Sequence, residues 1–202
     1  MKSRLIYIFI FFTLVGNAQS NKKILRKINK FQKELNLEFL NPKTTILDSL
    51  DQVSFTGLEF YPVSPKFYIK ARFKRTPNET PFLMKTSTDR LPEYVKYGEA
   101  HFEMENKKIV LNIYQNIEYS KIDEFKNDLF LPFTDFTSGD GSYGGGRYID
   151  LKIPDNDLIV IDFNKSYNPY CAYSYRFSCP IPPEENDVSL RIEAGIKNFN
   201  GH

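Results

Sequence analysis

The 202-residue chain has no tryptophan, only two cysteines and only two histidines. With no CxxC pair and so few soft ligands, a structural zinc quartet cannot be assembled, and no metal site is expected. No Gly-Lys-Ser/Thr follows the glycines at 144–146, and the glycine-rich loop leads into a strand pattern. Both features exclude a Walker or Rossmann phosphate loop, and no cofactor is expected. There is no internal repeat, long linker or low-complexity tract. The longest apolar run, Leu5 to Val15 with Thr13 inside it, is too short to cross a bilayer.

That run has the features of a signal peptide. Lys2 and Arg4 precede it, Gly16 and Ala18 are the small residues a signal peptidase accepts, and a cut is expected after Ala18. Residues 1–18 are therefore read as a leader, 19–54 as a helix with a connecting segment, and 55–202 as a β domain. The protein is expected to be exported, periplasmic or extracellular, with no integral membrane segment after cleavage. Removing Lys2 and Arg4 from the 27 basic residues leaves 25 against 25 acidic ones. Such a balance exerts no long-range pull on nucleic acid, and no nucleic-acid partner is expected.

Downstream, Ser20 or Asn21 can cap a helix in which Ile24, Ile28, Phe31 and Leu35 recur at helical spacing, with Leu25 and Phe39 at its margin. Lys22, Lys23, Arg26, Lys27, Lys30 and Lys33 read as its solvated face, and Asn41-Pro42 ends it. The period then changes to two. In KFYIKARFK, Phe67, Ile69, Ala71 and Phe73 alternate with polar or amphipathic residues, as in a strand with one wet face. EAHFEMENKKIVLNIY predicts a hairpin turning at Glu105–Lys108, with Met104 facing Ile109, Phe102 facing Leu111 and Ala100 facing Ile113. His101 falls on the other face and reads as a surface residue. The charged stretch 116–128 has room for a short helix. Eighteen Phe and thirteen Tyr in alternating runs favour strands. The expected fold is mainly β: an antiparallel β sandwich or partly open barrel with one N-terminal amphipathic helix.

The candidate chemistry lies between residues 135 and 186. GRYIDLKIPDNDLIVIDFN predicts a hairpin turning at Pro154–Asp157, which places Arg147 and Asn164 on one apolar face with Asp162 diagonal to the arginine and Asp150 on the other. A guanidinium among core residues needs a carboxylate, so the group forms either a sealed ion pair or the floor of a pocket. Gly144, Gly145 and Gly146 run directly into Arg147, and successive backbone amides beside a guanidinium suit a carboxylate, sulfate or phosphate. Cys171 and Cys179 lie in a loop stiffened by Pro169, Pro180, Pro182 and Pro183. In an exported chain a disulfide is the default pairing. Closing so small a loop gives roughly 2.5 kcal/mol.

FTGLEFYP at 55–62, LPFTDFTSGDGSYGGGRYIDL, DFNKSYNPYCAYSYRFSCPIPPEEN and a closing EAGIK together resemble the bacterial domain-of-unknown-function family 1684 over about Phe55 to Lys197. The resemblance singles out Asp135, Gly146, Arg147, Tyr148, Asp162, Asn164, Tyr167, Asn168, Cys171, Cys179, Pro180 and Asn186. Ser142 stands where Thr is expected, and Ile196 where relatives carry Glu. It brings no established reaction with it.

The resulting expectation is an exported domain binding a small polar or anionic ligand at Gly144, Gly145, Gly146, Arg147, Asn164, Tyr167 and Asn168. One alternative is a hydrolase with Asp135 or Asp162 as general base and Arg147 stabilising negative charge. The other is a structural or interaction module without a ligand site.

Overall fold

The computed structural model describes the backbone of residues 3–199 and the side chains of residues 21–199. It opens with one long helix, α1 (Ser3–Leu40), which stops one residue before Asn41-Pro42, as expected of an X-Pro step. Ser20 and Asn21 lie inside this helix rather than at its start, so neither caps it. The apolar run Leu5 to Val15 falls in the part of α1 whose side chains lie outside the described residues. No helix among the described residues is long and apolar enough to cross a membrane. The expected stripe is the packed face: Ile28 and Phe39 are buried, Ile24, Phe31 and Leu35 half-buried, and the basic residues from Lys22 to Lys33 exposed. A short α2 (Ser49–Ser54) follows.

Eight strands then form one curled sheet: β1 (Tyr68–Arg75), β2 (Phe82–Leu83), β3 (Glu93–Met104), β4 (Lys107–Asn116), β5 (Asp128–Asp135), β6 (Arg147–Lys152), β7 (Leu158–Asp162) and β8 (Asp187–Val188). The order along the main path is β6-β5-β4-β3-β1-β7, all antiparallel, with β2 on β3 and β8 parallel to β5. The sheet curls into a half-barrel, the open form of the barrel expected from the alternating aromatic runs. Its concave face holds the main core, built from Ala71, Phe73, Ala100, Leu111, Ile113, Leu129, Leu131, Phe133, Ile149, Ile159 and Ile161. Over this face lie Phe163 and the C-terminal residues Val188, Leu190, Ile192 and Ala194. The stretch between β4 and β5 contains a single 3₁₀ turn, Tyr119–Lys121.

The β3–β4 hairpin turns on two residues, Glu105 and Asn106, both with positive φ. Phe102 therefore faces Ile109 and Ala100 faces Leu111, two positions away from the expected register. An even shift leaves every side chain on its expected face. His101 is half-exposed and bonded to Glu99 at 2.9 Å.

The second expected hairpin does not form. β6 pairs with β5 and β7 with β1, at opposite ends of the strand order. The inward residues of β7 are Ile159 and Ile161, which puts Val160 and Asp162 on the convex face. Leu158 to Ile161 is apolar at every position, so no alternation marks which parity is buried.

Candidate functional site

Arg147 opens β6 on the concave side and is fully buried. Its Nη2 donates to Asp135 Oδ1 at 3.0 Å, to Thr137 Oγ1 at 3.2 Å and to the Ile192 carbonyl at 3.0 Å. Its Nη1 donates to the carbonyls of Ala194 and Ile196. Asp135, itself sealed, accepts from the Ile192 N–H at 2.7 Å and from Thr137. Of the guanidinium's donors, Nε–H has no partner among the described residues. Burial pulls the guanidinium pKa down, and Asp135 opposes it. The segment from Ile192 to Ile196 belongs to no strand of the sheet, and its inward carbonyls need donors. Arg147 supplies them, as a clamp that leaves no surface for an anion.

The other residues expected at that site separate. Asn164 is buried and imitates a backbone segment: its Oδ1 accepts from Ser64 N–H at 2.9 Å and its Nδ2 donates to Ser64 O at 3.0 Å. Asp162 Oδ1 accepts from Asn164 N–H and Nδ2, so its partner is the asparagine and not Arg147. Asn168 donates to the Lys197 carbonyl and to Tyr173 Oη. Asn186 performs the same service between β4 and β5, bonding both backbone groups of Asn112 and the Pro132 carbonyl. Gly144 and Gly145 lie exposed on a turn that receives no hydrogen bond from the guanidinium, and Gly146 is buried. Cys171 and Cys179 are free thiols, not the expected staple. They are nonetheless adjacent: Cys171 N–H points at Cys179 Sγ, 3.2 Å away. The proline-bent loop brings the residues together without bringing the sulfurs to bonding distance.

Tyr167 lies with Asp150 on the convex face, on the opposite side of the sheet from Arg147. Its backbone bridges Tyr148 on the free edge of β6, through Tyr148 N–H to Tyr167 O at 2.9 Å and Tyr167 N–H to Tyr148 O at 3.0 Å. Its hydroxyl donates to Asp150 Oδ1 at 2.7 Å. Convex-facing rings of β6, β5 and β3 continue the row. Tyr148 meets Tyr167 at 5.9 Å and 89°, Phe130 meets Tyr148 at 4.7 Å and 75°, and Tyr94 meets Phe130 at 5.8 Å. Edge-to-face contacts of this kind fix the rings relative to one another. Tyr148 is anchored further by its hydroxyl, which donates to the Pro180 carbonyl.

Helix α1 stands opposite this row, and between them runs a cleft in two lobes. The upper, of about 480 Å³, is walled by Phe31, Leu35, Tyr94, Phe130, Tyr148, Tyr167 and Tyr170, with Glu38, Arg90, Asn116 and Tyr119 also lining it. The lower, of about 300 Å³, is lined by Lys27, Tyr68, Val160, Asp162 and Lys165 among others. Phe31, Asp150 and Tyr167 belong to both. Asp150 is reached by solvent, yet the surrounding protein pushes its carboxyl pKa above the usual carboxylate value, with Tyr167 pulling the other way. A group that is open and still desolvated sits in a concavity. Tyr167 is pushed up in turn, by burial first and then by the carboxylate it faces. Asp162 is also raised, chiefly by burial.

The sequence contained a signal for this site. Asp150 is the acidic residue of RYIDL, and Tyr148 shares its parity. Phe130, directly opposite Asp150, could be placed beside it only once β5 was known to be the neighbour of β6.

A family model described as "Protein of unknown function (DUF1684)" matches residues 53–197. The chain belongs to the DUF1684 family. A search of curated proteins found no match. Among solved structures, the chain is similar to the solution NMR structure of an uncharacterized protein from Haloarcula marismortui, with 28% identity and a TM-score of 0.70. That superposition covers 91% of this chain and 99% of the other, so it extends beyond the DUF1684 match. The sheet wall of the cleft lies within the DUF1684 match, whereas Phe31, Leu35 and Glu38 come from outside it.

Proposed function

We propose that this DUF1684 chain is an exported binding domain for a small organic ligand, which sits in the cleft between α1 and the convex face of β5 and β6. One observation carries the reading: Asp150 is a solvent-reached carboxyl on the floor of an aromatic-walled cleft, bonded by the Tyr167 hydroxyl. Largely apolar walls with a few convergent polar groups are the usual make-up of small-molecule sites. The export part rests on Lys2, Arg4, the apolar run and Ala18. A cut after Ala18 leaves Phe31, Leu35 and Glu38 in place, so the mature chain keeps the helical wall of its cleft.

Thermal shift against sugars, amines, organic acids and phosphates tests the reading. A ligand at one hundred times its Kd stabilises by about 2.7 kcal/mol. For a domain of this size that corresponds to a rise of about 5–10 °C. The rise should be lost in Asp150→Asn and reduced in Tyr170→Ala. No shift with any class, or a shift untouched by both substitutions, overturns it.

Hydrolysis is the second reading, favoured by the two raised carboxyls, Asp150 and Asp162, that line the lower lobe. A raised carboxyl suits a general acid. Asp135 drops out of this reading because it is sealed against Arg147. Turnover of chromogenic glycosides, esters or phosphates that disappears in Asp162→Asn supports it, and turnover unchanged in that variant removes it.

A further inference from the structure

We propose that the ligand of the upper lobe is an organic cation, an amine or quaternary ammonium group on a small apolar body. This rests on the ligand-binding reading above and names the chemistry of its ligand.

The charge environment of Asp150 carries the argument. Its hydrogen bond comes from a neutral hydroxyl, Tyr167 Oη. The nearest cation of its own strand, Lys152, is ion-paired with Asp128. Helix α1 adds a second carboxylate to the lobe, Glu38. The lobe's one cation among the described residues, Arg90, is turned to the 178 loop, where it donates to the Ser178 carbonyl at 2.7 Å and to Ser178 Oγ at 3.2 Å. Lys27 and Lys165 line the lower lobe together with Asp162, which places the cation subsite in the upper one.

The walls favour the same sign of charge. An aromatic face is the negative side of the ring quadrupole and attracts a cation within about 6 Å of its centroid. Phe31, shared by both lobes, already has Lys165 Nζ at 5.7 Å from its centroid. A bound cation would return to Asp150 the electrostatic stabilisation that its desolvation removes. An anion would face Asp150 and Glu38 as like charges, and a neutral polyol would offer Asp150 hydrogen bonds but no compensating charge. Because the bound form favours ionised Asp150, affinity should fall as the pH is lowered through the raised pKa of that carboxyl. The charged or titratable groups around it are Asp128, Lys152, Glu38, Arg90, Lys27, Asp162 and Lys165, together with Tyr68, Tyr94, Tyr119, Tyr148, Tyr167, Tyr170 and Cys179.

Isothermal titration of the full chain should use choline and phenethylammonium, with 3,3-dimethylbutan-1-ol as the neutral isostere of choline and benzoate and glucose as anionic and neutral controls. A cation should bind at least about tenfold more tightly than its neutral isostere, lose a similar factor in Asp150→Asn, and weaken in acid. Circular dichroism verifies that Asp150→Asn is folded. If it is not, Glu38→Gln, at a solvent-exposed position of α1 that lines the lobe, should weaken the cation about threefold without changing the isostere. Equal binding of cation and isostere overturns the cation proposal. So does binding of glucose or benzoate that is lost in Asp150→Asn, which would leave the ligand-binding reading intact. Silence from every probe with folded protein overturns both.

Discussion

Arg147 and Asp135 form an ion pair at 3.0 Å with neither side chain exposed to solvent. Breaking such a pair strands a buried charge, which costs about 3–5 kcal/mol. Arg147→Ala also removes a donor from the carbonyls of Ile192, Ala194 and Ile196, of which Ile192 keeps the Ala194 N–H and Ala194 the Ser166 hydroxyl. The melting temperature should fall by about 10 °C or more. A melting temperature within a degree or two of wild type would show that the clamp is dispensable. Because the pair is remote in role from the cleft, any folded variant should keep its ligand affinity.

Asp150 should behave as a site residue that costs stability. Its folded pKa lies above the ordinary 3.8, so the folded state takes up a proton more readily than the unfolded one. The stability linked to that proton is fully present below about pH 3.8 and is lost as the pH rises through the folded pKa. Asp150→Asn should therefore melt higher than wild type at pH 7, with the advantage shrinking toward zero as the pH approaches 3.8. A constant difference at every pH would contradict this.

The two thiols should differ sharply in reactivity. Cys171 is half-buried and its pKa is drawn down to about 6, first by the thiol of Cys179 and also by the Tyr143 hydroxyl. Cys179 is buried and pushed up, chiefly by the same partner. Iodoacetamide should modify Cys171 first, with a half-maximal rate near pH 6. Peptide mapping that finds equal labelling at neutral pH would refute the assignment.

The glycines of the 144–146 turn should separate by substitution. At Gly146 φ is +85°, and a Cβ would stand 2.6 Å from the Phe133 carbonyl oxygen. Gly146→Ala should destabilise by about 1–3 kcal/mol. At Gly144 the nearest atom would be 3.7 Å away, so Gly144→Ala should be close to neutral by chemical denaturation. Equal costs at the two positions would mean that the turn acts as a unit.

What could be read from the sequence divides along a physical line. Period and face are local properties. The stripe of α1, the wet face of β1 and the inward residues of the β3–β4 hairpin were all legible from spacing. Strand partners are not local. A proline-containing link between β6 and β7 looks like a hairpin, yet the two strands end at opposite edges of a curled sheet. Leu158 to Ile161 offered no alternation to expose the error. That one inversion moved Asp162 to the wrong face and hid the cleft. The motif asparagines misled for a related reason. Asn164 and Asn168 have the polarity of ligand-binding residues, but they spend their hydrogen bonds on backbone groups, as Asn186 does.

The clamp at Arg147 also sets an order of events for folding. Its carbonyl acceptors lie between residues 192 and 196, which leave the ribosome after all eight strands. Until they arrive, the half-barrel would have to bury a guanidinium that lacks most of its acceptors. Final closure thus waits for residues 192–196. A fragment ending before Ile192 should remain open and prone to proteolysis, whereas a chain that reaches Ile196 can lock.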